Sequence, residues 1–393
     1  MRDRNNSNKP GGISRRSFMK ACLLAPGIGL APVLAPKAAR ALLPPYQYVG
    51  SIVALDPNSG AVLAMASTPT FDPNEFAKGL TTKEWLALSS DPEHPLLNRA
   101  ISSEFAPGST YKPLVALGAL QDGVITPDTK FFCPGYLRLG DHVFHCWKHG
   151  GHGNIGLHEA IVQSCDVYFY HVGMLQGVDR LAHYSKMFGL GQKTGIDLPG
   201  ESAGLIPTSA WKRRVLGQPW EEGETLSIAI GQGYDLVTPL QLTAAYAAIA
   251  NNGKLWTPYC VYRIQGIDAN KVNGAHKQLR WQIDIQPKYF QVVQEALKGV
   301  VAEAQGTAHR IEQKDFSIAG KTGTAQLIGL GRSVKGKDEK DNAWFVGYAP
   351  ADNPQITVGA IVEHGGEGAS AASPIVEKVM ASFLRDEPPA NHV

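Results

Sequence analysis

Apolar and polar positions fall into three blocks along the chain. "SIVALDPNSGAVLAMAS" (51–67) reads as two apolar strands around the turn Asp56-Pro57-Asn58-Ser59-Gly60. A second β-rich block lies near the far end: "FSIAGKTGTAQLIG", "NAWFVGYAP" and "QITVGAIVEHG", the last two joined by the hairpin-like turn "ADNP". Between these blocks the pattern is mostly helical. "YKPLVALGALQDG" ends in a glycine stop, and "PLQLTAAYAAIANNG" opens on Pro and closes on Asn-Gly. "SPIVEKVMASFLRD" predicts a closing helix with Ile375, Val379 and Phe383 on its apolar stripe. Strands at both ends with a helical middle predict one sheet assembled from distant segments, with helices packed on it. That is an α+β domain, not a doubly wound parallel sheet. Residues 262–290 are polar and patternless and read as a surface excursion, and the tail "DEPPANHV" (386–393) as frayed.

Composition narrows the class. The chain has 393 residues, 44% hydrophobic and 18% charged, which supplies a large core and argues against a disordered or coiled-coil protein. The first 41 residues stand apart. "SRRSFMK" (14–20) precedes a weakly apolar stretch, "ACLLAPGIGLAPVLAP", and then small residues at Ala39 and Ala41. This resembles a twin-arginine export signal cleaved after Ala41, which predicts a periplasmic protein. The stretch is shorter than the roughly 20 residues of a membrane span, and Pro26, Pro32 and Pro36 interrupt it; retention as an inner-membrane tether is the alternative. Residues 1–41 carry eight basic side chains and one acidic, a net of +7 in a chain of +2. The remainder is therefore −5, and nothing in it favours nucleic-acid binding.

The chemistry concentrates in three short stretches. In "FAPGSTYKP", Ser109 and Lys112 stand three apart where Pro and Gly hand the chain to a helix, so they share a face. A serine hydroxyl needs a neighbour to accept its proton, and a lysine serves once burial or nearby positive charge lowers its pKa. "SCD" supplies Ser164 and Asp166 on either side of Cys165. "KTGTAQ", on a predicted strand, supplies Lys321, Thr322, Gly323 and Thr324; the glycine admits a close backbone approach, and the lysine with the threonine hydroxyls can hold a carboxylate. S-x-x-K, S-x-[N/D] and K-T-G in this order mark the penicillin-recognising serine acyltransferases.

Cysteines form a second constellation. Twelve residues separate Cys133 from Cys146, five separate Cys146 from His152, and twelve separate His152 from Cys165. Three thiolates and one imidazole make a closed tetrahedral zinc set. A Cys133–Cys146 disulfide and Cys165 as a small core filler or nucleophile are the alternatives, and His142, His145, His149 and His158 compete with His152 as ligand. Cys260 lies outside the cluster and reads as a core residue. "IGQGYD" (230–235) lacks the full glycine pattern of a phosphate loop and reads as a tight turn. Trp344 and Phe345 read as core, and Tyr111 as pointing away from the Ser109–Lys112 face.

From about Gly50 to Arg385 the chain resembles the transpeptidase domain of the elongation-type penicillin-binding protein 2 class, a class B penicillin-binding protein. "NRAISSEFAPGSTYKP", "SCDVYFYHVG", "FGLGQKTGIDLPGE", "IGQGYDLVTPLQL", "GKTGTAQ" and "WFVGYAP" carry the resemblance. It implies a penicillin-binding/serine β-lactamase-like fold over 42–385, with an antiparallel five-stranded sheet flanked by helices and a helical lobe. It implies that Ser109 is acylated by a D-Ala-D-Ala peptidoglycan stem peptide or a β-lactam, and that Lys112 is its base. Ser164 would relay protons, Asp166 and Lys321 would complete the network, and the Ser109 and Thr324 amides would form the oxyanion hole. Thr322 and Thr324 would grip the terminal carboxylate. Many relatives have Asn where this chain has Asp166, which accepts but does not donate when ionised; the subgroup accommodates Asp there. Some of its members bind a metal near the active site, with carboxylates aligned to Cys133 and Cys146. Cysteines there make the site softer and more zinc-like. Metal at Cys165 would fix Ser164 and Asp166 on either side of it. The resemblance implies no organic cofactor.

D,D-transpeptidation is the expected activity, cross-linking the acyl group to a neighbouring stem peptide. A D,D-carboxypeptidase, a serine β-lactamase and a non-catalytic penicillin-binding sensor or scaffold are the rivals. No obvious extra base for deacylation disfavours the first two, and intact Ser109, Lys112 and Lys321 disfavour the third. Full-length relatives carry a membrane helix and pedestal, whereas here eight residues (42–49) follow the expected cleavage point before the resemblance begins. A partnership with a membrane glycosyltransferase through those parts is therefore not expected.

Overall fold

The computed structural model describes residues 48–262, 277–326 and 340–386. The expected export signal and nearly all of the tail lie outside the described residues.

The strands, in chain order, are β1 (Val49–Leu55), β2 (Val62–Thr68), β3 (Lys130–Cys133), β4 (Tyr136–Leu139), β5 (His142–His145) and β6 (Gly153–Gly156). They continue with β7 (Lys254–Trp256), β8 (Leu279–Gln282), β9 (Ala319–Ala325), β10 (Asn342–Ala349) and β11 (Ile356–Glu363). The expected sheet forms from the two ends of the chain in the order β2-β1-β11-β10-β9, antiparallel throughout. Its centre is dry: all eight residues of β10 are buried, and seven of eight in β11. Such strands read as continuous apolar runs because both faces are covered.

One cover is the helix Pro239–Ala250, every residue of which is buried between the sheet strands β1, β10 and β11 and the rest of the domain. Its sequence is apolar all round, the signature of a central helix. Thr238 caps it, with Gln241 closing a capping box and Pro239 in the first turn. Gly359 of β11 leaves the room that the Thr243 side chain fills. The helix Ser373–Asp386 lies on β10 and β11. Val376 and Met380 are its most deeply buried positions, with Ile375, Val379 and Phe383 flanking them at the margin, so the apolar stripe is centred one position further along than expected.

Two expectations need correction. The middle of the chain is not simply helical: residues 130–156 form the small pairs β3-β6 and β4-β5. Four-residue strands rich in His and Gly carry too little alternation to be read as strands. The excursion at 262–290 is also shorter than expected. Residues 263–276 lie outside the described residues, but β8 pairs with β7 and a helix begins at Pro287. Ile283, Ile285 and Phe290 are buried there, spaced too widely to show as a pattern.

Candidate active site and cysteine cluster

Ser109 lies on a 3-10 turn, Gly108–Tyr111, that runs directly into the helix Lys112–Gln121, with the Lys112 amide donating to the Ser109 carbonyl. The turn is held from several sides. Gly108 N donates to Gly231 O at 2.8 Å, and a side-chain carbon on Gly231 (φ +72°) would fall on the Gly108 carbonyl. Only glycine fits both the left-handed backbone and that approach. The "IGQGYD" loop thus serves as a clasp, and its Gln232 Nε2 donates to Thr324 O of β9 at 3.2 Å. Tyr246 Oη donates to Thr110 O at 2.7 Å, and the buried Tyr111 hydroxyl bonds Ser185, away from the site. Burial pushes the Tyr111 phenol well above its ordinary range, which suits a structural neutral hydroxyl.

Lys112 is completely buried. Its Nζ is hydrogen-bonded to Asp166 Oδ1 at 2.7 Å, Ser164 O at 2.9 Å and Ser164 Oγ at 3.1 Å. Ser164 follows the short helix Leu157–Val162 and takes a left-handed backbone at φ +57°, rare for a residue with a side chain. That turn lets the next helix, Asp166–Gln176, begin with Asp166 in its first turn, where the helix dipole favours a carboxylate.

Edge strand β9 closes the other side. Gly323 pairs with Trp344, and a side-chain carbon at 323 would stand 2.9 Å from Thr110 Cγ2 and 3.0 Å from Pro107 O. On this face of β9 the glycine lets the chain's own serine turn approach closely. Trp344, fully buried as expected, donates from Nε1 to Ala106 O at 3.0 Å. Lys321 is fully buried, and burial followed by the neighbouring Lys112 charge pushes its amine well below the ordinary lysine range, with Asp166 opposing. Thr322 Oγ1 shares a 2.7 Å hydrogen bond with Thr307 Oγ1, while Thr307 N donates to Val162 O at 3.3 Å. Thr307 therefore links the third stretch to the helix before the second. No local signal marks it, because its partners lie 15 and 145 residues away.

The cysteine cluster abuts this network. Cys133, Cys146, His152 and Cys165 offer ligand atoms that all lie within 4.8 Å of one another. Cys133 Sγ and Cys146 Sγ are 3.5 and 3.6 Å from His152 Nδ1. Tetrahedral bonds of about 2.3 Å to sulfur and 2.0–2.1 Å to nitrogen would separate S and N by roughly 3.5–3.6 Å, so the donor set fits a metal of zinc's size. All three cysteines are free thiols, so the Cys133–Cys146 disulfide is not formed. His158 is turned instead to Glu303. The Cys165 thiol, then His152, favours the Cys146 thiolate and draws its pKa down to about 2, while Cys146 and burial push Cys165 up. Cys165 is also the N-cap residue of the Asp166 helix, so a ligand-bearing residue separates Ser164 from Asp166. Cys260, partly buried against the core, donates its amide to Asp197.

With this geometry in hand, the sequence model of the penicillin-binding protein transpeptidase domain matches residues 50–381. The chain belongs to that family. It is 39% identical over 352 residues to the peptidoglycan D,D-transpeptidase MrdA of Haemophilus influenzae, covering 86% of this chain and 54% of the relative. The chain thus spans about half the length of the curated relatives it matches. Among solved structures, PBP2 of Pseudomonas aeruginosa in complex with WCK 5153 superposes with a TM-score of 0.77 at 39% identity, covering 88% of this chain and 75% of that one. PBP2 of Helicobacter pylori, solved in complex with MreC, gives a TM-score of 0.76 at 33% identity, covering 86% and 60%. This is the penicillin-binding transpeptidase fold, α+β as expected. Among the described residues of this transpeptidase domain, no helix is long and apolar enough to cross a membrane.

Proposed function

We propose that this chain is a serine D,D-transpeptidase of peptidoglycan, working in the periplasm after export through a twin-arginine signal at residues 1–41. The observation that carries the reading is the convergence on one turn: Ser109 beside a buried Lys112 that binds both Ser164 and Asp166, with the K-T-G-T strand packed against that turn.

Ser109 Oγ attacks the carbonyl of the penultimate D-alanine of a stem peptide, and its proton passes to Lys112. Negative charge develops on the carbonyl oxygen, which the Ser109 and Thr324 amides receive. Ser164, hydrogen-bonded to Lys112 Nζ at 3.1 Å, carries the proton on to the departing D-alanine amine. An amine of a neighbouring stem peptide then attacks the ester and releases Ser109. Lys321, Thr322 and Thr324 hold the substrate's terminal carboxylate. A buried lysine disfavoured in its charged form gains most from such an anion, because the pair offsets desolvation for both partners. β-Lactams acylate the same hydroxyl.

Cys133, Cys146, His152 and Cys165 would hold a zinc ion, the metal that three thiolates and an imidazole suit best. When bound it supplies a structural cross-link and no chemistry at the substrate. Export of an already folded chain lets the thiolates take metal before they meet an oxidant.

Incubation with a fluorescent penicillin tests the reading. A long-lived adduct on the wild type, absent in Ser109→Ala, is expected, together with D-alanine release and cross-linked product when a stem peptide and an amine acceptor are supplied. Folded wild-type protein that never gains mass at Ser109 would sink it, and rapid turnover of the drug would make the chain a β-lactamase instead.

A further inference from the structure

Trp147 follows Cys146 and is 57% exposed, yet it makes three hydrogen bonds into the catalytic network. Its backbone N–H donates to Asp166 Oδ2 at 2.9 Å, on the carboxylate whose other oxygen accepts from Lys112. Its indole Nε1 donates to Gln163 O at 3.0 Å and Ser164 O at 3.1 Å. The Ser164 carbonyl is also a Lys112 acceptor, at 2.9 Å. One face of the ring meets His152 edge-on, 5.6 Å between centroids.

We propose that Trp147 is a positioning residue for acyl transfer: its indole pins the Ser164 carbonyl so that Lys112 stays aimed at the serine turn. This rests on the serine acyl-transfer reading above. Ser164 has a left-handed backbone without being glycine, a strained conformation that persists only where its surroundings hold it against rotation of its peptide. Rotation would take one of the three acceptors from Lys112 and let the amine swing. The indole opposes it because two consecutive carbonyls, Gln163 O and Ser164 O, converge on one donor. An exposed tryptophan at a site's rim is ordinarily read as a wall for substrate. Here the buried edge of the ring is occupied by the chain's own backbone.

The test is the acylation of Trp147→Phe and Trp147→Ala by a chromogenic β-lactam, with the rate constant for bond formation separated from the affinity of the initial complex. Both variants should lose roughly tenfold in the bond-forming step, the rate equivalent of one hydrogen bond, with initial affinity nearly unchanged. Phe keeps the ring and loses the donor, so it should behave like Ala. Metal content per chain should equal that of wild type. A Phe variant that acylates like wild type, or an effect confined to initial affinity in Ala, makes the ring a substrate wall and overturns the proposal. Loss of metal in the Phe variant also overturns it, because Trp147 would then belong to the folding of the cluster. A wild type without a Ser109 adduct defeats the acyl-transfer reading itself, whereas a wild type that acylates beside an unaffected Phe variant removes only the role of Trp147.

Discussion

Strand β9 packs against the serine turn and the cysteine-bearing segment 130–156 against the Ser164–Asp166 turn, and the two are held by opposite means. β9 is seven residues long, six of them buried, and is hydrogen-bonded along β10 from Ala319 to Ala325. Its position is set by apolar burial around it and by the sheet ladder. The cysteine segment is built on four-residue strands: Phe132, Tyr136 and Trp147 are exposed, Phe131, Leu137, Leu139 and Phe144 are only partly buried, and Ile155 is its deeply buried apolar side chain besides the cysteines. Two of its buried side chains are instead Cys133 and Cys146, which cluster with Cys165 from outside the segment. A region that buries little surface gains from a cross-link, and the zinc proposed for these four residues would provide one. One wall of the site is therefore intrinsic to the fold, and the other would be conditional on the proposed metal.

The largest expected break of that contrast is Gly323→Val. The added carbons would meet Pro107 O, a backbone atom that cannot swing aside, and push the serine turn off β9. Displacement of about 1 Å at a reacting group costs on the order of 100-fold in rate. Stopped-flow acylation by a fluorescent penicillin should show that loss while metal content stays at the wild-type level. Loss of metal as well would mean that the two walls are not independent.

Cys146→Ser probes the conditional wall. It should abolish stoichiometric metal and lower the melting temperature by about 5–10 °C, as expected for removing a ligand present far above its dissociation constant. Chelation of the wild type should reproduce the shift in a calorimetric scan. A scan unchanged by either treatment would leave the cysteines as plain core residues.

The smallest effect concerns Lys321 and stability alone. Its folded pKa is lowered, mainly by burial, while in the unfolded chain it titrates near the usual 10.5. Between those two values the unfolded chain binds more protons, so this group adds stability as pH rises through that window and stops adding above it. Lys321→Met removes the contribution. Urea midpoints measured at about pH 8 and about pH 10 should rise less with pH in the variant than in the wild type. Equal slopes would mean that the lysine is solvated in solution.

Much of the proposed catalytic set could be read from the sequence because its members sit in short segments with strong local rules. Ser109 and Lys112 are one turn apart, Ser164 and Asp166 flank a helix start, and Lys321 to Thr324 lie along one strand. Trp147 and Thr307 were not legible. Each acts through contacts with segments that no periodicity connects to it, and Trp147 resembles any exposed aromatic in sequence. Gly323 was legible as a place of close approach, and the structure adds Thr110 and Pro107 as groups that approach it.

Apolar runs, turn residues and helix caps settled from the sequence alone that two terminal β blocks and a helical middle would build one α+β domain, because those signals act over a few residues. The choice of His152 over four other histidines, the left-handed turn at Ser164 and the threefold binding of Lys112 were decided in the folded chain. The Lys112 contacts reach across 52 and 54 residues and those of His152 across 6 and 19, and distance in space is what a linear pattern does not encode.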